Sequence, residues 1–139
     1  MLELTNLKKT FYAGTPNEVQ ALRGVSLTIE PGSFVVVIGT NGSGKSTLLN
    51  AVAGSFIVDE GKIRLAGRDV TRWPEHRRAQ LIGRVFQNPY TGSAPHLSIA
   101  ENLALASKRG RPRGLKWALG RRQREELRER VKQLSLIHI

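Results

Sequence analysis

The sequence contains no cysteine in 139 residues. That excludes disulfides and thiolate metal sites and fits a reducing compartment. No apolar run approaches the roughly 20 residues that a membrane-spanning helix needs, and no internal repeat is visible. The first residues, MLELTNL, place an acid at Glu3 among alternating apolar positions, which is not the pattern of a signal peptide. Acid is also scarce: 11 Asp and Glu face 22 Lys and Arg, a formal net charge of +11. Such an excess ordinarily directs attention to nucleic acid or an anionic membrane. It is concentrated, however, in Lys108, Arg109, Arg111, Arg113, Lys116, Arg121, Arg122, Arg124, Arg128, Arg130 and Lys132, against Glu125, Glu126 and Glu129 alone. The plain reading is a solvated helix face. A nucleic-acid binder would interleave aromatics with the basic residues, and only Trp117 is near. Hydrophobic residues at 40% and charged residues at 24% suit one small soluble domain with a real core.

What is present reads as alternating strands and helices. Leu2, Leu4 and Leu7 mark a first strand, and Val19 to Ile29 a second that alternates at Val25, Leu27 and Ile29. Glu30-Pro31-Gly32-Ser33 has Pro and Gly where a type II turn places them. Phe34 to Ile38 is a continuous apolar run, as in a strand covered on both faces. Lys45 to Ala53 predicts a helix with Gly54 as its stop. Asp59-Glu60-Gly61 predicts a turn, and Ile63 and Leu65 a further strand. A helix is expected over Glu75 to Leu81 behind Pro74, a short strand over Gly83 to Phe86, and a loop over Gln87 to Pro95. Ser98 and Glu101 form a capping box that starts a helix at Ile99. Lys108 to Gly114 reads as a basic link, and a last helix runs from about Gly120 to Gln133.

The strongest signal lies between the apolar run and the first helix. Gly39-Thr40-Asn41-Gly42-Ser43-Gly44-Lys45-Ser46 satisfies G-x-x-x-x-G-K-[ST], the phosphate loop. The glycines let the backbone bend tightly and bring its N–H groups onto phosphate oxygens. The loop feeds a helix N-terminus, whose unpaired N–H groups and positive dipole end favour an anion. Lys45 is a compact charge for the outer phosphates. Ser46 offers a hydroxyl to Mg²⁺, an ion that prefers oxygen ligands and arrives with the phosphates. Thr47 begins the helix proper.

The flanks select among phosphate-loop families. "ALRGVSLTIEPGSFVVVIGTNGSGKSTLLNAVAG" and the following "DEGKIRLAGRDVT" resemble the first half of an ATP-binding-cassette (ABC) transporter ATPase. The resemblance implies an α/β fold of the phosphate-loop NTPase class. The expected parts are an antiparallel β subdomain, an incomplete RecA-like core and the start of a helical subdomain. It implies a nucleotide-binding core over 1–87 and a glutamine-loop segment with the start of the helical subdomain over 88–133; the terminal piece, 134–139, falls outside the resemblance. In "LKKTFYAG", Phe11 matches the family's aromatic that stacks on adenine, with Tyr12 the alternative; a base offers a flat π face for this. In "GRVFQNPYTGSAPHLSIAENLALA", Gln87 matches the glutamine whose side-chain oxygen reaches Mg²⁺ or the attacking water. An amide ligates weakly and lets go, so such a loop can sense nucleotide state.

Three features mimic parts that the family carries further along. "FIVDE" over Phe56 to Glu60 looks like an apolar strand ending in acids. A helix from Lys45 to Gly54 climbs roughly 15 Å away from the phosphates, and Phe56 to Val58 returns at most about 10 Å. Asp59 and Glu60 therefore belong at the far end. "LGRRQ" over Leu119 to Gln123 has arginines where the family's signature has glycines, and reads as a helix start. His138 lacks the acidic strand expected before a switch histidine, and His76 and His96 read as surface residues. The final "LSLIHI" resembles the translation of a transposon end used to tag sequencing libraries, so 134–139 are expected to be such an artefact.

The resemblance implies an ATPase subunit that binds ATP and Mg²⁺ and closes as a head-to-tail dimer with a second such subunit. It would drive a transmembrane permease from the cytoplasmic face of the inner membrane, in the style of bacterial uptake systems with a separate substrate-binding protein and an amino-acid-like cargo. No specific nucleic acid is implied. The 139 residues themselves are expected to bind nucleotide weakly and not to hydrolyse it. The alternatives are another phosphate-loop enzyme, such as a GTPase or kinase, and a basic nucleic-acid binder; an Asn-Lys-x-Asp base reader is absent.

Overall fold

Leu4 and Leu7 lie an odd number of residues apart, so a regular strand would point them to opposite faces. In the computed structural model both are buried, Leu7 completely. The reason is an irregularity at Asn6, whose φ is 48° and across which the pairing register shifts against both neighbouring strands. One extra residue restores the inward direction. Gly61 faces this bulge with φ 96°, and a Cβ there would stand 2.5 Å from the carbonyl oxygens of Thr5 and Asn6, so only glycine fits.

The structure describes residues 1–109, 120, 125–129 and 131–132. They fall into two units, Met1–Ile82 and the chain from Gly83 onward. The first holds β1 (Leu2–Phe11), β2 (Val19–Ile29), α1 (Lys45–Ala53), β3 (Glu60–Leu65), β4 (Arg68–Asp69) and α2 (Glu75–Arg78). The four strands form one antiparallel sheet in the order β2-β1-β3-β4. Leu4, Leu7, Leu22, Ala51, Val58, Ile63 and Val70 form its core, which joins one face of the sheet to α1.

The second strand, α1 with its Gly54 stop, and the strand through Ile63 and Leu65 lie where the sequence predicts them. So does the turn after β2, closed by the Ser33 amide donating to the Glu30 carbonyl at 3.2 Å. Three expectations fail. Asp59-Glu60-Gly61 is not a free turn: β3 begins at Glu60, and the Asp59 amide donates to the Lys8 carbonyl at 2.9 Å. The helix behind Pro74 ends at Arg78 rather than Leu81. Phe34 to Ile38 is not a strand, and all five of its side chains are exposed, Phe34 at 92%. A strand exists through the hydrogen bonds of its neighbours, and no described segment pairs with this run.

In the second unit, Gly83 to Phe86 likewise forms no strand, and Val85 is exposed. Asn88 caps a 3₁₀ turn over Pro89–Gly92 by accepting from the Tyr90 amide. α3 (Ile99–Ser107) begins with the expected capping box: Ser98 Oγ accepts from the Glu101 amide, and Glu101 accepts from the Ser98 amide at 2.9 Å. Asn102 ties the preceding loop to this helix through Ala94, Leu97 and Ser98. Residues 125–129 and 131–132 are helical, within the last predicted helix. Most of the basic link, the arginine pair at 121–122, His138 and the 134–139 piece lie outside the described residues. His76 and His96 are exposed. Among the described residues, no helix is long and apolar enough to cross a membrane.

Candidate functional site

α1 begins without a side-chain cap. Its N-cap is Gly44 in the left-handed region, at φ 86°, and its first turn carries no acid. The amides of that turn are thus left for an external anion, with the positive end of the helix dipole behind them. Gly44 is required twice. A side chain would be strained at this φ, and a Cβ would stand 2.6 Å from the Ala21 carbonyl oxygen on β2. The loop consequently lies directly against the strand.

Lys45 is folded back over the loop. Its Nζ donates to the carbonyls of Gly39 at 2.7 Å and Thr40 at 2.6 Å, and stands 3.4 Å from Ser43 Oγ. These weak neutral acceptors hold the ammonium at the centre of the bend, where phosphate oxygens would offer it a charged partner. Ser46 is exposed in the first turn of α1. Among the described residues, no group of three His, Cys, Asp or Glu is placed to hold a metal. One hydroxyl is a fitting protein contribution for Mg²⁺, which keeps several waters and takes phosphate oxygens.

A cleft of about 430 Å³ runs from Asn41–Thr47 to Phe11, Tyr12 and Val19. Both aromatics singled out in the sequence therefore border the same space as the loop. They are held differently. Tyr12, with φ 55°, is 71% exposed. Phe11 is partly buried and meets Phe56 in a T-shaped pair with centroids 5.4 Å apart. Gln87 is exposed at the head of the loop in the second unit, after Phe86, whose ring lies 4.6 Å from the Arg84 guanidinium.

The opposite end of α1 is sealed. Gly54 takes φ 87° and donates to the Asn50 and Ala51 carbonyls. The Arg78 guanidinium, fully buried, donates to Ala51 O at 2.6 Å, Val52 O at 3.0 Å, Trp73 O at 2.9 Å and Thr71 O at 3.0 Å. All four are backbone carbonyls. Burial holds the guanidinium pKa below its ordinary value, and the carbonyl cage with the negative end of the helix dipole favours the charge. Sequence reasoning missed Arg78, because Arg77 and Arg78 are alike as letters and only the turn behind Pro74 sends one inward. It also missed the Phe11–Phe56 pair. Asp59 is engaged structurally: its carboxylate accepts from Lys9 Nζ at 2.6 Å and from the Thr10 amide at 2.7 Å. These bonds hold its pKa below the usual carboxylate range.

Comparison with known proteins agrees with this geometry. The profile of the ABC transporter family matches residues 22–139. The tyrosine transport ATP-binding protein of Clostridioides difficile (strain R20291) is 41% identical over 121 residues, covering 86% of this chain and 47% of that protein. The sulfate/thiosulfate import ATP-binding protein of Methylococcus capsulatus is 38% identical over 133 residues, covering 96% of this chain and 34% of that protein. The chain thus spans about half, or less, of the curated relatives it matches. Among solved structures, the post-hydrolysis dimer of the ATP-binding cassette MJ0796 with ADP and phosphate superposes with a TM-score of 0.73 at 29% identity, covering 95% of this chain and 56% of that one. A nucleotide-free ATP-binding cassette from an ABC transporter superposes with a TM-score of 0.74 at the same 29% identity, covering 99% and 55%. The family match over most of the sequence, together with the likeness to these cassettes, establishes that the chain belongs to the ABC transporter family.

Proposed function

We propose that this chain is the nucleotide-gripping part of an ABC transporter ATPase, and that the observation carrying this reading is the uncapped N-terminus of α1 beneath Lys45. When ATP arrives, the amides of Gly42 to Thr47 donate to its phosphates, and Lys45 exchanges the Gly39 and Thr40 carbonyls for phosphate oxygens. Charge that develops on the transferred phosphoryl group is then met by donors already in place. Ser46 would hold Mg²⁺ through its hydroxyl, and the family resemblance assigns Gln87 an amide oxygen toward the same ion, which would supply charge neutralisation at the phosphates. Phe11, or Tyr12 in its place, offers a ring to adenine.

In the whole protein we assign to this grip a head-to-tail dimer around two nucleotides, ATP hydrolysis, and coupling to a membrane permease at the cytoplasmic face of the inner membrane. The dimeric cassette among the structural relatives supports the first of these. We assign it further to an uptake system with a substrate-binding protein; an amino-acid-like cargo is supported by the name of the tyrosine transport relative, and uptake by that of the sulfate/thiosulfate import relative.

The 139 residues bind nucleotide weakly and do not turn it over. The acidic strand end, the glycine-rich signature and the switch histidine that the family uses for cleavage have no counterpart in this sequence, and Asp59, the best mimic, is committed to Lys9 and Thr10. Release of phosphate from ATP by the purified chain tests this. No steady release is expected; steady hydrolysis that disappears in Lys45→Ala would overturn the reading.

A further inference from the structure

Phe11 lies at the end of β1, where a strand frays unless something holds it. Two contacts do. Phe56, which follows α1, packs against the Phe11 ring at 83° with centroids 5.4 Å apart. Asp59 grips the three residues before Phe11: Oδ1 accepts from Lys9 Nζ at 2.6 Å, Oδ2 accepts from the Thr10 amide at 2.7 Å, and the Asp59 amide donates to the Lys8 carbonyl at 2.9 Å. The Lys9 side chain is only 16% exposed, and its Nζ stands 5.6 Å from the centroids of both Phe11 and Phe56. The ammonium, the carboxylate and the two rings thus form one cluster. In either sense of a T-shaped pair Phe56 covers at most one face of Phe11, and the ring borders the cleft that continues to the phosphate loop. Tyr12, by contrast, is largely exposed.

We propose that Phe56 and the Asp59–Lys9 pair form a clamp that presets Phe11 as the wall for the nucleotide base, so that these three act as positioning residues for base binding and have no role toward phosphate. The proposal rests on the reading of Phe11 as the stacking ring. A ring already held loses less freedom on binding than one that must be ordered by its ligand. The clamp joins the segment after α1 to the end of β1, so the aromatic and the helix that receives the phosphates belong to one packed unit.

The test separates base from phosphate. Calorimetric titration of the 139-residue chain with Mg-ATP and with Mg-tripolyphosphate, which has no base, is compared across variants. Phe11→Ala is expected to weaken ATP about tenfold, the scale of one base–aromatic stack, and to leave tripolyphosphate unchanged. Phe56→Leu and Asp59→Asn are each expected to weaken ATP about threefold to fivefold, again sparing tripolyphosphate. Parallel loss of both ligands in Phe56→Leu and Asp59→Asn would mean general loosening and would overturn the clamp. Loss in Phe11→Ala with none in Phe56→Leu or Asp59→Asn would overturn the clamp and keep the stacking reading. No loss in Phe11→Ala, with loss in Tyr12→Ala, would remove both.

Discussion

The two ends of α1 are built in opposite ways. At Gly54 the carbonyls are closed internally, by backbone N–H groups and by a buried guanidinium. At Gly44 no side chain closes the amides, and the nearest cation leans on neutral carbonyls. A helix must satisfy its orphan groups at both ends. Here one end does so within the fold and the other is left to a ligand. The contrast implies that mutations at the sealed end are read as stability and those at the open end as binding.

The largest effect that would break this contrast is removal of the buried cation. Arg78→Met takes the guanidinium from the carbonyls of Ala51, Val52, Trp73 and Thr71, leaving the Gly54 amide on Ala51 O, and is expected to cost about 3–4 kcal/mol in urea unfolding; Arg78→Lys recovers part of it. Gly54→Ala should follow at about 2–3 kcal/mol, since the residue is left-handed and a Cβ would stand 2.9 Å from Arg78 Nε. At the open end, Lys45→Ala removes three surface contacts of the ammonium and should change unfolding by no more than about 0.5 kcal/mol. A loss comparable to Arg78→Met would erase the distinction. The smallest effect is that of pH on the pairing of Asp59 with Lys9 and the Thr10 amide. The folded pKa of Asp59 is lowered, so its contribution is present above the ordinary carboxylate range and is lost as pH falls through the lowered value. The stability difference between wild type and Asp59→Asn should therefore be constant near neutrality and vanish in acid; a difference that grows as pH falls would have the wrong sign.

The same contrast divides what was legible in the sequence. The phosphate loop, α1, the Gly54 stop, the span of β2 and the capping box at Ser98 all rest on signals within a few residues, and each is where the letters place it. The failures rest on partners far along the chain. Phe34 to Ile38 has the composition of a buried strand, but strand formation depends on neighbours, and the described residues supply none. Asn6 looks like any strand residue until Gly61, on the paired strand, reveals the bulge. Arg78 is distinguished from Arg77 only by the direction the Pro74 turn gives it. Phe11 and Phe56 are separated by the whole of β2 and α1, so nothing local links them. Helix length argues against a role for Asp59 at the phosphates, while its pairing to Lys9 has no signal in the spacing.

The central claim is that the open end of α1 grips triphosphate. Titration of the isotopically labelled chain with Mg-ATP, followed by amide resonances, tests it most directly. The account predicts saturable shifts at Gly42, Gly44, Lys45, Ser46 and Thr47, absent without ATP's phosphates and absent in Lys45→Ala, with the amides of Gly54 and Ser55 unmoved. Saturation with no shift in the loop, or shifts confined to the Gly54 end, would contradict it.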